Sequence, residues 1–128
     1  MPRFFNPENM CTPFNPYSHG AEIKAGSRII YFAGQVGADA GGDVAPEFEE
    51  QIAQTYQNIG IILNDAGMKF DNLVKLTTFL IRREDAPKMR EIRKSFLGEH
   101  KPAHTLLFVS GLAYPEFLIE VEGLAAED

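Results

Sequence analysis

Asn72-Leu73-Val74-Lys75-Leu76-Thr77-Thr78-Phe79-Leu80-Ile81 is the stretch that decides the fold. Val74, Leu76, Thr78 and Leu80 alternate onto one face, and Phe79 and Ile81 lie on the other. A period of two marks a strand, and side chains of this kind on both sides mean that both faces are partly covered. Immediately before it, Ile52, Tyr56, Ile59, Leu63 and Ala66, with Ile62 beside them, recur at helical spacing. They predict a one-faced helix that opens at Pro46 and stops before Gly67. Immediately after it, Asp85 is placed to cap a second helix with Pro87 in its first turn. Met89, Ile92 and Phe96 would line the buried face of that helix, and Gly98 would end it.

Two more strands are expected downstream, His104–Val109 and Phe117–Leu124, joined by a turn with Gly111 and Pro115. Upstream, Ala21–Ala25 and Arg28–Val36 read as a hairpin about Ala25-Gly26-Ser27, with Asp39 to Asp43 as a second turn. The first 20 residues are rich in Pro and Asn and predict extended loop, with Arg3 to Phe5 available as a short edge strand. The order β-β-β-α-β-α-β-β predicts an α+β fold with both helices packed on one face of a single mixed sheet. The chain has 128 residues, so residues 1–128 form one domain. The other sheet face, carrying Thr77, Phe79 and Leu106 or Phe108, is too apolar to stay wet. It predicts a homo-oligomer interface, or else a covering loop.

Charge narrows the function. Eighteen acidic residues against twelve basic ones give a formal charge of −6, and the densest basic pair, Arg82-Arg83, is followed by Glu84-Asp85. Phosphate neutralisation drives nucleic-acid binding, so no nucleic acid and no anionic membrane surface is expected as a partner. Cys11 is the single cysteine, which excludes an intrachain disulfide and the usual zinc spacings. Neither a signal-peptide pattern nor a run of about 20 apolar residues is present, and a cytoplasmic location is the expectation.

Few residues carry chemistry. Glu120 and Glu122 share one face of their strand; a carboxylate there must be paired, solvated or functional. His104 opens a strand and would meet the loop Pro16-Tyr17-Ser18-His19-Gly20 if that loop folds back. Glycine-rich phosphate loops and the Gly-x-Ser-x-Gly elbow are absent, and nothing near Cys11 would acidify it. His19, His104 and Glu120 offer a two-histidine, one-carboxylate set, but their spacing does not demand a metal. Neither cofactor nor metal is expected.

Read in order, these segments resemble the Rid/YjgF (endoribonuclease L-PSP-like) family. Pro16-Tyr17-Ser18 looks like its Pro-Tyr-Ser loop, and Phe32-Ala33-Gly34-Gln35-Val36 like its Ser-Gly-Gln strand. Asn58 through Gly67 resembles the end of its first helix, and Val74 to Leu80 its central strand. Pro102-Ala103 and Ile119-Glu120-Val121-Glu122 resemble its last two signatures. The resemblance implies a chorismate-mutase-like fold and a homotrimer with a barrel core, binding a small metabolite in three clefts between subunits. It implies hydrolysis of reactive imines or enamines to a carbonyl product and ammonia, with Glu120 positioning water. Tyr17, Ser18, His19, Gly34 and Gln35 would line the cleft. The family arginine that holds a substrate carboxylate is replaced here by His104, which implies an altered substrate preference, among reactive imines and enamines or aminomuconate-like compounds. His104 would polarise or protonate substrate. The alternative is a trimeric module that binds a metabolite without turnover.

Overall fold

The computed structural model describes residues 2–128. Eight elements follow in the expected order: β1 (Arg3–Phe5), β2 (Gly20–Glu22), β3 (Arg28–Gln35), α1 (Phe48–Asp65), β4 (Leu73–Leu80), α2 (Ala86–Leu97), β5 (Ala103–Phe108) and β6 (Ile119–Glu127). Four strands make one mixed sheet in the order β3-β6-β4-β5, with β4 and β5 parallel and the other pairs antiparallel. Both helices cover one face of this sheet, and the fold is α+β. The helix α1 buries Ile52, Tyr56, Ile59 and Leu63 against Leu76, Leu80, Val121 and Ala125. From α2, Met89 and Leu97 close the same core.

Three expectations are corrected. Strand β2 pairs with β1 (Arg3 opposite Glu22), not with β3. Ile30 and Phe32 of β3 belong over the helices beside β6, whereas Ala21 and Glu22 carry too little apolar surface for that layer. On β5, Leu106 and Phe108 face the helices, because the parallel register sets Leu76 beside His104 and Leu80 beside Phe108. Leu107 and Thr105 therefore point away, with Phe79 and Thr77 as expected. Asp85 stands at the N-cap of α2 but makes no capping bond; Arg82 takes its carboxylate at 2.8 Å.

One buried amide ties α1 to the loops that flank the sheet. Gln51 is 1% exposed, and its Nε2 donates to the carbonyls of Ala45 and Glu116, each at 2.8 Å. Its Oε1 accepts from the Leu118 N–H at 2.9 Å, just before β6 begins. Gln51→Leu keeps the volume but strips all three backbone groups of their partner. A loss of about 2–3 kcal/mol is expected in urea unfolding, since each stranded buried group costs about 1–3 kcal/mol. A loss under about 0.5 kcal/mol, within the range of an ordinary surface change, would show that water replaces the amide.

Candidate functional site

Register decides where Glu120 points. Glu120 lies opposite Phe79 and Glu122 opposite Thr77, so both carboxylates stand on the sheet face turned away from the helices. Tyr31, 82% exposed, and Leu107, 45% exposed, share that apolar face. A bulge in β3 between Phe32 and Gln35 brings Gly34 against Glu120. A Cβ at position 34 would stand 1.9 Å from Glu120 Oε2 and 2.7 Å from its Cδ, so only glycine lets the carboxylate lie there. Among the described residues, no hydrogen bond or ion pair engages that carboxylate. It is a half-buried proton acceptor with free lone pairs. Gly34→Ala should push Glu120 aside at little cost to folding, because a flexible side-chain end does the yielding. Were Glu120 the base, its misplacement by about 1 Å would cost on the order of 100-fold. Turnover measured beside the melting temperature would show a loss of rate with stability kept. Full activity would mean that the seat over Gly34 is not needed.

A second concavity opens on the free edge of β5. The Pro16–Gly20 loop does fold back: Ser18 N–H donates to Pro102 O at 3.2 Å, and Ser18 Oγ donates to Lys101 O at 2.7 Å. This stitch holds Tyr17 over β5 and leaves a cleft of about 360 Å³ lined by Tyr17, Met89, Arg90, Arg93, His104 and Thr105, among others. His104 Nε2 is 2.8 Å from Thr78 Oγ1, and its Nδ1 is 2.9 Å from Arg93 Nη1. A guanidinium can only donate, so Nδ1 accepts from it and Nε2–H donates to the threonine. Burial, then the nearby Arg93, Lys75 and Arg90, push the imidazole down to about 3. At pH 7 it is neutral, and both its nitrogens are engaged.

The remaining expected site residues are spread around these two features. The His19 ring packs edge-on against Tyr17, with centroids 5.9 Å apart, and its Nε2 bonds Cys11 O at 2.8 Å, which braces the loop. The Gln35 amide folds onto Ala33 O at 3.1 Å. His104 and Glu120 lie on opposite faces of the sheet, and among the described residues no three His, Cys, Asp or Glu side chains are grouped as metal ligands. Sequence reasoning missed Arg93. It sits one turn beyond Met89 on the buried stripe of α2, and a charged residue in an apolar stripe was the available signal.

Comparison with known proteins agrees with the fold. The family model described as endoribonuclease L-PSP matches residues 8–127. A RutC family protein of Pyrococcus horikoshii is 36% identical over 123 residues, covering 94% of each chain. A 2-iminobutanoate/2-iminopropanoate deaminase of Mus musculus is 33% identical over 114 residues, covering 88% of this chain and 82% of its own. The crystal structure of a Rid-family protein from Yersinia pestis superposes with a TM-score of 0.86 at 28% identity, covering 98% of both chains. No helix among the described residues is long and apolar enough to cross a membrane.

Proposed function

The chain belongs to the Rid/YjgF (endoribonuclease L-PSP) family, and from that premise we propose that it hydrolyses a reactive imine or enamine metabolite to a carbonyl product and ammonia. The observation that carries this is the unpaired Glu120 carboxylate, half-buried over Gly34 on an apolar sheet face. A carboxylate with free lone pairs can take a proton from water, and a positioned group of that kind accelerates proton transfer by about 10²–10⁴-fold. In the reaction, Glu120 takes a proton from water as the water oxygen bonds to the imine carbon. The C=N π electrons move to nitrogen, which takes up the proton that Glu120 removed from water, giving a carbinolamine. Glu120 then takes the hydroxyl proton and passes it to the amino nitrogen, the C–N bond breaks with its electrons going to nitrogen, and ammonia leaves behind a C=O group. An enamine enters the same path as its imine tautomer.

Within one chain, Glu120 and the β5 cleft open on opposite faces of the sheet. A working site therefore needs the Glu120 face of one subunit against the cleft edge of another. The apolar face with Tyr31, Phe79 and Leu107 supports burial between copies, in a homotrimer with three clefts between subunits. His104, neutral and engaged at both nitrogens, serves as a hydrogen-bond partner within the cleft and not as the acid that protonates substrate. Tyr17, held by Ser18 and braced by His19, shapes the wall.

The test is release of ammonia and keto acid from 2-iminobutanoate and 2-iminopropanoate generated in situ, beside sedimentation of the protein. Acceleration over buffer by a trimer is expected. A rate equal to buffer for both imines, with metabolites bound tightly but unchanged, would replace the enzyme with a binding module.

A further inference from the structure

Phe14 is the most exposed large apolar side chain among the described residues, 84% exposed, so its ring buries little within the chain. Tyr31 is nearly as exposed but lies on the apolar sheet face assigned to burial between copies. Phe14 stands elsewhere, on the loop beside the free edge of β5. That loop is not slack. Pro13 and Pro16 fix φ on either side of Phe14-Asn15. The Tyr17 N–H donates to Asn15 O at 2.8 Å, a tight three-residue turn. Ser18 is stitched to Lys101 and Pro102, and His19 Nε2 reaches back to Cys11 O. The His19 N–H donates to Asn6 Oδ1 at 2.7 Å. Phe14 therefore sits in a loop closed between Cys11 and His19 and braced at both ends. A ring presented in this way loses little conformational freedom when something covers it.

The surroundings of the ring point to what covers it. Phe14 lines the cleft of about 360 Å³, a volume within the range of small-molecule sites. Apolar side chains from three elements meet there: Phe14 and Tyr17 from the loop, Leu106 from β5 and Met89 from α2. Met89, 1% exposed, forms the floor. Phe14 makes no ring contact with Tyr17 among the described residues, so no aromatic pair closes the cleft from within the chain. A single exposed apolar residue needs no explanation, but one that continues an apolar wall into a concavity does. The guanidinium groups of α2 and the engaged His104 ring line the same space. The cleft therefore suits a small molecule with one polar end and one apolar end.

We propose that Phe14 is a specificity-determining residue: with Tyr17, Met89 and Leu106 it encloses the side chain of the bound molecule, and that side chain is large, apolar and best aromatic. Two rings that do not touch each other leave room for a third, and edge-on or offset contacts between rings add to the gain from buried area. The reaction served by this pocket rests on the deaminase reading, and the substrate is then an imine bearing an aromatic side chain. The pocket itself rests on the braced loop, the exposed ring and its apolar neighbours.

Two arms test it, one for binding and one for turnover. Titration calorimetry compares 3-phenyl-2-oxopropanoate with 2-oxopropanoate, which share a head group and differ only in the side chain. The phenyl compound is expected to bind wild type at least about 10-fold more tightly, the least that burying such a side chain contributes. Phe14→Ala should bring that ratio close to one, and Phe14→Leu should keep part of it, because the apolar volume stays and the flat ring goes. The turnover arm takes the ratio of kcat/KM for 2-imino-3-phenylpropanoate and 2-iminopropanoate, each generated in situ, and the same pattern is expected. Equal binding of the two acids, a ratio untouched by Phe14→Ala, or no binding of either acid at about 10 mM overturns the proposal. Sedimentation of Phe14→Ala guards the interpretation: the assembly of wild type is expected, and dissociation would show that another copy covers the ring and overturn the proposal. The two levels separate cleanly. Phenyl-selective binding that needs Phe14, with ammonia released only at the buffer rate, removes the deaminase and keeps the pocket. Turnover without side-chain preference keeps the deaminase and removes the pocket.

Discussion

Glu120→Gln is expected to cut ammonia release by about 10²–10⁴-fold while leaving the affinity for 2-oxobutanoate nearly unchanged. The amide keeps the size and the strand position of the carboxylate but cannot take a proton from water. Stability should barely move, because no hydrogen bond or ion pair among the described residues is lost. The seat over Gly34 tolerates an amide of the same shape. Glu122→Gln is the matched control. It lies two residues along the same strand and face, opposite Thr77 and exposed, and its loss should leave the rate intact. Single-turnover rates for the two variants decide the matter. Equal losses would assign the effect to the charge of the face, and no loss at Glu120 would remove its role as the base.

Element types were readable from periodicity because each helix buries a single stripe and β4 alternates cleanly. Partners were harder to read. Three residues of β2 are too few to specify which strand they join, and the β1 partner lies across a 14-residue loop. The facing of β5 was ambiguous for a different reason: Leu106, Leu107, Phe108 and Val109 are all apolar, so either alternate set satisfies the pattern. Only the parallel register with β4 settles it. Glu120 was legible because two carboxylates at i, i+2 must share a face. The meaning of His104 was not. In the sequence it reads as a cation lost from β5. In three dimensions, a guanidinium from α2, eleven residues earlier, stands 2.9 Å from it. Pairwise proximity between a helix stripe and a parallel strand leaves no mark on local spacing, so the sequence shows a cation missing from β5 and gives no sign of the guanidinium beside it.

That contact has a consequence in acid. Below pH 6.5 the unfolded chain binds a proton at His104 that the folded chain refuses until about pH 3. The unfolded state then holds more protons, so stability rises with pH. The contribution of the neutral imidazole is complete above pH 6.5 and is lost as pH falls from there toward 3. The slope is about 1.4 kcal/mol per pH unit for one group, roughly 2 kcal/mol between pH 6.5 and 5. That window lies above the ordinary carboxylate range, near 4, so the acidic residues contribute little to it. The groups responsible converge from two sides: Arg93 and Arg90 from α2, and Lys75 from β4. His104→Gln keeps an acceptor for Arg93 and a donor for Thr78 but cannot titrate. Urea unfolding at pH 7 and pH 5 should show wild type losing about 2 kcal/mol more than the variant. Parallel losses would mean that His104 takes its proton in the folded state near the ordinary value. An imidazolium cannot accept from a guanidinium, so the Arg93 contact would then have to be absent in solution. The contact between Arg93 and a neutral His104 stands or falls with that slope.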